Sequence, residues 1–196
     1  MNQVKENIQI VVDDRERPSG VVAELEKLGG VVVKIEHLLL GDYCIDGAVL
    51  IERKTAADFA QSLIDGRLFG QAGRMATSSL RPAYIIEGTS AEWAGLGVSR
   101  EALQGALVTL MLIFDVPVFR SSDPAESARL MLYIGSQLVR LGDPRMDLTG
   151  RPKRSGKRLS NFASCRACPV LARIAPSGCL NTSARCGRAL ALRLKR

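Results

Sequence analysis

No apolar run in the chain approaches the ~18 residues that a membrane-spanning helix needs. The amino terminus, Met1-Asn2-Gln3-Val4-Lys5-Glu6, lacks the apolar stretch of a signal peptide. The expectation is a soluble, intracellular protein with no membrane partner. Histidine occurs once, at His37, and reads as an ordinary strand-end residue rather than a ligand. Aromatics make up only 5% of the chain, and Trp93 and Tyr84 read as packing residues rather than base-stacking platforms. The five cysteines are an odd number. In an intracellular chain that argues against a disulfide framework. No internal repeat is visible.

Acidic residues are missing from one region: none follows Asp147. The net charge of +7 is therefore unevenly spread. Residues 1–142 carry 14 Lys+Arg against 18 Asp+Glu, while residues 143–196 carry 13 Lys+Arg against Asp143 and Asp147 alone. A basic tail can hold phosphates and release counterions. It can equally be a solvated, disordered segment. Charge alone does not choose between them.

What is present is the alternation of an α/β domain over the first ~140 residues. Residues 8–13 (IQIVVD) read as a buried strand and residues 21–28 as an amphipathic helix stopped by Gly29-Gly30. A second strand follows at 31–35. Tyr43-Cys44-Ile45 and Val49-Leu50-Ile51 flank Asp46-Gly47-Ala48, which reads as a hairpin. Helices are predicted over 56–64 and 68–78, a strand over 83–87, and an apolar helix over 102–114. A short strand at 116–119 and a last helix over 124–141 complete the series. We place a domain boundary near residues 142–150, where Arg, Ala, Ser, Cys and Pro take over and neither period persists.

The hairpin carries the chemistry. Hard divalent cations take carboxylate oxygens, and phosphodiester hydrolysis needs such a cation to polarise the phosphate and activate water. A nearby Lys can orient the water or stabilise the transition-state charge. Asp42, Glu52 and Lys54 supply that set. Glu52 and Lys54 are two apart, so on a strand they share a face and Arg53 takes the other. For Asp42 to sit opposite Glu52, the turn must be centred on Gly47. That requires an odd loop such as Asp46-Gly47-Ala48, or a bulge. Alone, Asp-x9-Glu-x-Lys is weak, since exposed charges on a hairpin are common. The wholly apolar Ala48-Val49-Leu50-Ile51 that leads directly into the charge gives it weight.

These residues resemble the XPF family of structure-specific endonucleases, whose signature is GD…ERKxxxD. The chain reads Gly41-Asp42-Tyr43, then Glu52-Arg53-Lys54-Thr55-Ala56-Ala57-Asp58. Ser62-Leu63-Ile64-Asp65-Gly66-Arg67-Leu68-Phe69-Gly70-Gln71 is similar to the family's S-L-x-D-G-R-L-x-x-Q helix, and Val12-Asp13-Asp14-Arg15-Glu16 to its V-D-x-R-E strand end. Gly105-Ala106-Leu107 and Val116-Pro117-Val118 fit its later helix and strand. The likeness covers roughly residues 8–141. It implies a restriction-endonuclease-like core, a central mixed sheet flanked by helices, that cuts DNA where duplex meets single strand. It implies Mg²⁺ or Mn²⁺ as cofactor. Asp42, Glu52 and Asp13 would then be metal ligands, and Lys54 would act on the attacking water. Arg53 and Asp58 match active-site positions with less defined roles. Arg15, Glu16, Arg67 and Gln71 are weaker carry-overs, Arg15, Arg67 and Gln71 as DNA contacts, and Arg15 and Arg67 could equally be spent on salt bridges within the domain. No Gly-x4-Gly-Lys-Ser/Thr loop is present, so the helicase module of larger relatives is not seen.

The family usually continues into a tandem helix-hairpin-helix domain, and this chain departs from it after Arg151-Pro152-Lys153-Arg154. Cys165, Cys168, Cys179 and Cys186 could form a zinc site, though the second pair is too widely spaced for a usual ribbon. A reading-frame slip between Arg154 and Cys165 explains more. Back-translated and read in the shifted frame, the tail from Cys165 can become LQGLPGVGPNRAKRLLEHFGSV, which looks like the missing helix-hairpin-helix. The expected organisation is a nuclease domain over 1–142 and a basic, poorly ordered tail over 143–196.

The resulting expectation is a divalent-metal-dependent endonuclease acting on branched, flap or fork DNA in repair or recombination. It would work as a homodimer or heterodimer through the nuclease domain, near the nucleoid in a prokaryote or in the nucleus of a eukaryote. A catalytically silent DNA-binding scaffold is the alternative, although a scaffold has no use for carboxylates at a metal-binding spacing. A related nuclease with another substrate, such as a junction resolvase, also stays open.

Overall fold

The structure, a computed structural model, describes residues 7–140. The expectations for residues 143–196, the zinc site and the shifted frame among them, lie outside the described residues. Six strands form one mixed sheet in the order β2-β1-β3-β4-β5-β6. They are β1 (Ile8–Asp13), β2 (Val31–Glu36), β3 (Tyr43–Ile45), β4 (Val49–Thr55), β5 (Arg81–Glu87) and β6 (Val118–Ser121). β3 is antiparallel to both β1 and β4, while β1–β2, β4–β5 and β5–β6 are parallel pairs. The helices are α1 (Val21–Lys27), α2 (Ala56–Ile64), α3 (Arg67–Ala76), α4 (Ser90–Ala94), α5 (Arg100–Val108) and α6 (Pro124–Arg140).

Strand alternation sorts the apolar residues into two cores, one on each face of the sheet. On the first face, Ile10 and Val12 of β1, Val49 and Ile51 of β4 and Ile85 of β5 meet Val21 and Leu25 of α1 and Met131 of α6. On the second, Leu50, Tyr84 and Ile86 meet Phe59 of α2, Leu68 and Met75 of α3 and Leu110. β5 is buried on both faces, as a central parallel strand between helical layers is expected to be. β4 begins the same way and then turns to charge at Glu52, Arg53 and Lys54. Those three side chains therefore emerge at one end of a sheet whose interior is apolar.

Three departures from the sequence reading have local causes. The apolar helix predicted over 102–114 is split: α5 ends at Val108 and a wider π-helical turn runs over Thr109–Ile113. There the Thr109 hydroxyl donates back to the Gly105 carbonyl at 2.8 Å, the kind of side-chain competition that distorts a helix. β6 starts two residues late, after Pro117, whose ring nitrogen offers no donor to a ladder. The short α4 was not foreseen, although its Thr89…Glu92 capping box is visible in the sequence.

Candidate active site

The β3–β4 hairpin has the required register. Ile45 pairs with Val49, Cys44 with Leu50 and Tyr43 with Ile51, so the turn is centred on Gly47. The three-residue loop closes through Ala48 N–H to the Ile45 carbonyl at 2.9 Å, with Asp46 and Gly47 both at positive φ. One step beyond the last pair, Asp42 N–H donates to the Ile51 carbonyl at 2.8 Å and the Arg53 N–H donates to Asp42 Oδ2, also at 2.8 Å. The Asp42 carboxylate is thus fixed against the strand that carries Glu52. Gly41 makes this approach possible: at φ +72°, an added Cβ would lie 2.7 Å from Leu50 Cδ1.

Lys54 shares a face with Glu52, as its spacing requires, and its Nζ donates to Glu52 Oε1 at 2.8 Å. Glu52 is buried. Burial, and next the charge of Glu52, push the Asp42 carboxyl up to about 8. Two carboxylates repelling each other in a low-dielectric setting favour a proton or a cation between them. Asp42, Glu52, Arg53 and Lys54 line an open cleft of about 260 Å³ together with Glu16, Asp58, Gln61, Ser62 and Arg67. Four acidic side chains line this space: Glu16 from the turn after β1, Asp42 just before β3, Glu52 in β4 and Asp58 in α2. Carboxylate oxygens of that kind are the chemistry a hard divalent cation takes.

Arg53 points to the other side. Its Nε and Nη2 take Glu87 at 3.0 and 2.5 Å, and its Nη1 lies 3.5 Å from Glu16 Oε2. Burial works against the guanidinium charge, but Glu87, with Glu16 and Tyr43 adding to it, offsets that and holds the group above its ordinary value. Glu87 is itself buried and accepts from Ser127 Oγ at 2.7 Å, while the Tyr43 hydroxyl donates to Glu16 Oε2 at 2.7 Å.

The chain matches the ERCC4 domain over residues 12–134. It belongs to the ERCC4-domain family. It is 32% identical over 130 residues to the 3'-flap repair endonuclease Xpf of Saccharolobus solfataricus, an alignment covering 66% of this chain and 55% of that protein. The chain thus spans about half the length of that curated relative. Among solved structures it is similar to XPF from Aeropyrum pernix, with TM-score 0.59 and 33% identity, covering 80% of this chain and 82% of that one. The same protein in complex with DNA gives TM-score 0.60 at 33% identity, with the same coverage of both chains. The mixed six-stranded sheet with helices on both faces is the fold these neighbours share.

Most of the residues singled out in the sequence come together. Asp42, Glu52, Arg53, Lys54, Asp58 and Arg67 all border the cleft. Asp58 is also tied to the start of α2: Thr55 caps the helix by accepting from the Asp58 N–H at 3.1 Å and donates its hydroxyl to Asp58 Oδ2 at 2.7 Å. Arg67 pairs with Asp65 at 2.6 Å on an exposed surface. Gln71, half-buried a turn further along α3, is not among the lining residues.

Asp13 and Arg15 are placed differently. Asp13 is buried and its oxygens accept from Arg15 Nε at 2.6 Å, Arg15 Nη2 at 3.0 Å, Arg15 N–H at 3.0 Å and Leu38 N–H at 2.8 Å. The hydrogen bond from the Arg15 side chain, the strongest of these influences, holds the Asp13 carboxyl far below the usual range. Arg15 Nη2 also donates to the Leu38 carbonyl at 3.2 Å. The pair therefore clamps the loop leading to Gly41-Asp42, and Asp13 is not brought to the Asp42–Glu52 cleft as the expected ligand set required. Asp13, Asp14 and His37 do bring ligand-type atoms within 4.8 Å of one another, an acidic group of the sort that can hold a cation. Glu16, from the same strand end, is among the residues lining the cleft. Its signal was the Val12-Asp13-Asp14-Arg15-Glu16 strand end, but only the 3-10 turn over Asp14–Ser19 shows which acid faces the cleft.

Proposed function

We propose that this chain is a divalent-metal-dependent, structure-specific DNA endonuclease. It hydrolyses phosphodiester bonds near duplex/single-strand junctions, such as 3′ flaps and forks, in repair or recombination. The observation that carries this reading is the convergence of Asp42, Glu52 and Lys54 on one cleft with Glu16 beside them. Asp42, Glu52 and Glu16 would hold the ion, and Mg²⁺ or Mn²⁺ bound there supplies charge to polarise the phosphate and acidify water. Lys54, 2.8 Å from Glu52, positions that carboxylate and offers a cation to the phosphate oxygens as negative charge builds. Arg67 at the mouth of the cleft has an exposed guanidinium that can take a backbone phosphate. Residues 1–142 would form the nuclease domain.

Pairing with a second nuclease domain, the same chain or a relative, belongs to this reading. Its support is a row of exposed apolar side chains on α5 and the π-helical turn: Val108, Met111, Leu112 at 69% exposure and Ile113. Patches of that kind mark protein contacts. The site of action would be the nucleoid or the nucleus, where the substrate lies.

The test is a panel of 5′-labelled 3′ flap, fork and linear duplex DNAs with Mg²⁺ or Mn²⁺. Cleavage near the junction of flap and fork, with little on the linear duplex, is expected. Cleavage indifferent to structure would contradict the junction preference, and none on any substrate would favour the scaffold role.

A further inference from the structure

Behind the cleft, on the face of the sheet away from Glu52, runs a buried chain of polar groups that the proposed chemistry leaves unused. Ser121 Oγ and Ser127 Oγ lie 2.7 Å apart, and Ser127 Oγ donates to Glu87 Oε2 at 2.7 Å. Glu87 takes Arg53 through two nitrogens, and the third, Nη1, lies 3.5 Å from Glu16. Ser121, Ser127 and Glu87 are all buried, and the Arg53 side chain is 8% exposed. Ser127 and Glu87 are 40 residues apart, and Arg53 and Glu87 34, so no local need of a turn or helix end accounts for these bonds.

Charge counting shows what Glu87 does. A buried guanidinium requires an anion close by. With Glu87 in its fork-like, two-bond grip, Arg53 is satisfied whether Glu16 is near or not. Glu16 accepts a neutral hydrogen bond from the Tyr43 hydroxyl at 2.7 Å and lies 3.5 Å from Arg53 Nη1, and it borders the cleft. It can turn to a cation without stranding a buried positive charge.

We propose that Glu87, braced by Ser127 of α6, is a positioning residue: it satisfies Arg53 from behind and so frees Glu16 for the cation in the cleft. This rests on the metal reading above. If Glu87 lost its charge, Arg53 would draw Glu16 in as its sole counter-ion and the cleft would lose a donor.

The experiment is Mn²⁺ affinity, read by electron paramagnetic resonance of free Mn²⁺ in the absence of DNA, in a double-mutant cycle on the full chain. Glu87→Gln should weaken Mn²⁺ binding about tenfold, as removing a group that orients a ligand does. In a Glu16→Gln background the same change should have little further effect, because the residue it acts through is gone. A fold contribution alone would not produce that coupling: equal weakening by Glu87→Gln in both backgrounds overturns the proposal. If Glu87→Gln fails to fold, Ser127→Ala is read in the same cycle, with a two- to threefold effect expected only when Glu16 is present. Failure of the wild-type chain to bind Mn²⁺ would instead overturn the metal reading, and this proposal with it.

Discussion

Gly41→Ala is the substitution whose cost the geometry defines most closely. Two penalties combine. Gly41 has φ +72°, a left-handed conformation that costs an L-residue roughly 1–2 kcal/mol. The new Cβ would also meet Leu50 Cδ1 at 2.7 Å, Leu50 Cγ at 2.8 Å and the Ile51 carbonyl at 3.1 Å. Leu50 is buried and cannot swing freely, so the overpacking adds about 1–3 kcal/mol. The sum, about 2–5 kcal/mol, is a large share of the 5–15 kcal/mol typical of a domain. Urea unfolding followed by circular dichroism should show a midpoint lowered by roughly 1–2 M at an unchanged slope, with a slope of about 1–3 kcal/mol per M. Adding Leu50→Val should recover part of the packing cost but none of the dihedral cost, so the two changes should be less than additive. A Gly41→Ala protein within about 0.5 kcal/mol of wild type would refute the close approach that fixes Asp42 against β4.

Arg53→Ala should cost about 3–5 kcal/mol by thermal or urea unfolding, because it strands Glu87 in the interior with only Ser127 as donor; a loss below about 1 kcal/mol would show that the pair is solvated. The raised Asp42 carboxyl makes a pH prediction. Folding favours its neutral form, so without metal the fold loses stability as pH rises from the ordinary carboxylate value, 3.8, toward about 8. Asp42→Asn should flatten that slope, and a slope unchanged in Asp42→Asn would contradict the assignment. Leu112→Glu, at a position 69% exposed, should leave the fold intact and lower the mass seen by sedimentation from dimer to monomer; a wild-type chain already monomeric at micromolar concentration would remove pairing through this face.

Much of this was legible in the sequence because it follows from short periods. The alternation in β4 put Glu52 and Lys54 on one face, and the odd loop around Gly47 followed from requiring Asp42 opposite Glu52. The helical layers were readable from the spacing of residues such as Phe59, Leu63, Leu68, Ala72 and Met75, all on the second core. What escaped depends on contacts between distant segments. The pairing of Arg53 with Glu87 spans 34 residues and that of Asp13 with Leu38 spans 25; no local pattern announces either. Asp13 and Glu16 stand three apart at a strand end, and either could have faced the cleft. The turn over Asp14–Ser19, with Arg15 folded back on Asp13, turns Glu16 toward Tyr43 and Arg53 and spends Asp13 on the loop. The π-helical turn was hidden because Thr109 sits within an otherwise regular apolar pattern.

The role proposed for Asp42 and Glu52 is to form the cation-holding heart of a nuclease. It is tested most directly by Mg²⁺-dependent incision of a single 3′ flap substrate under single-turnover conditions, comparing wild type, Asp42→Ala and Glu52→Ala at equal folded concentration. Wild type should incise in a manner that EDTA abolishes, and each variant should lose about a hundredfold or more, as removal of a transition-state-stabilising group produces. Equal incision by all three proteins would contradict it.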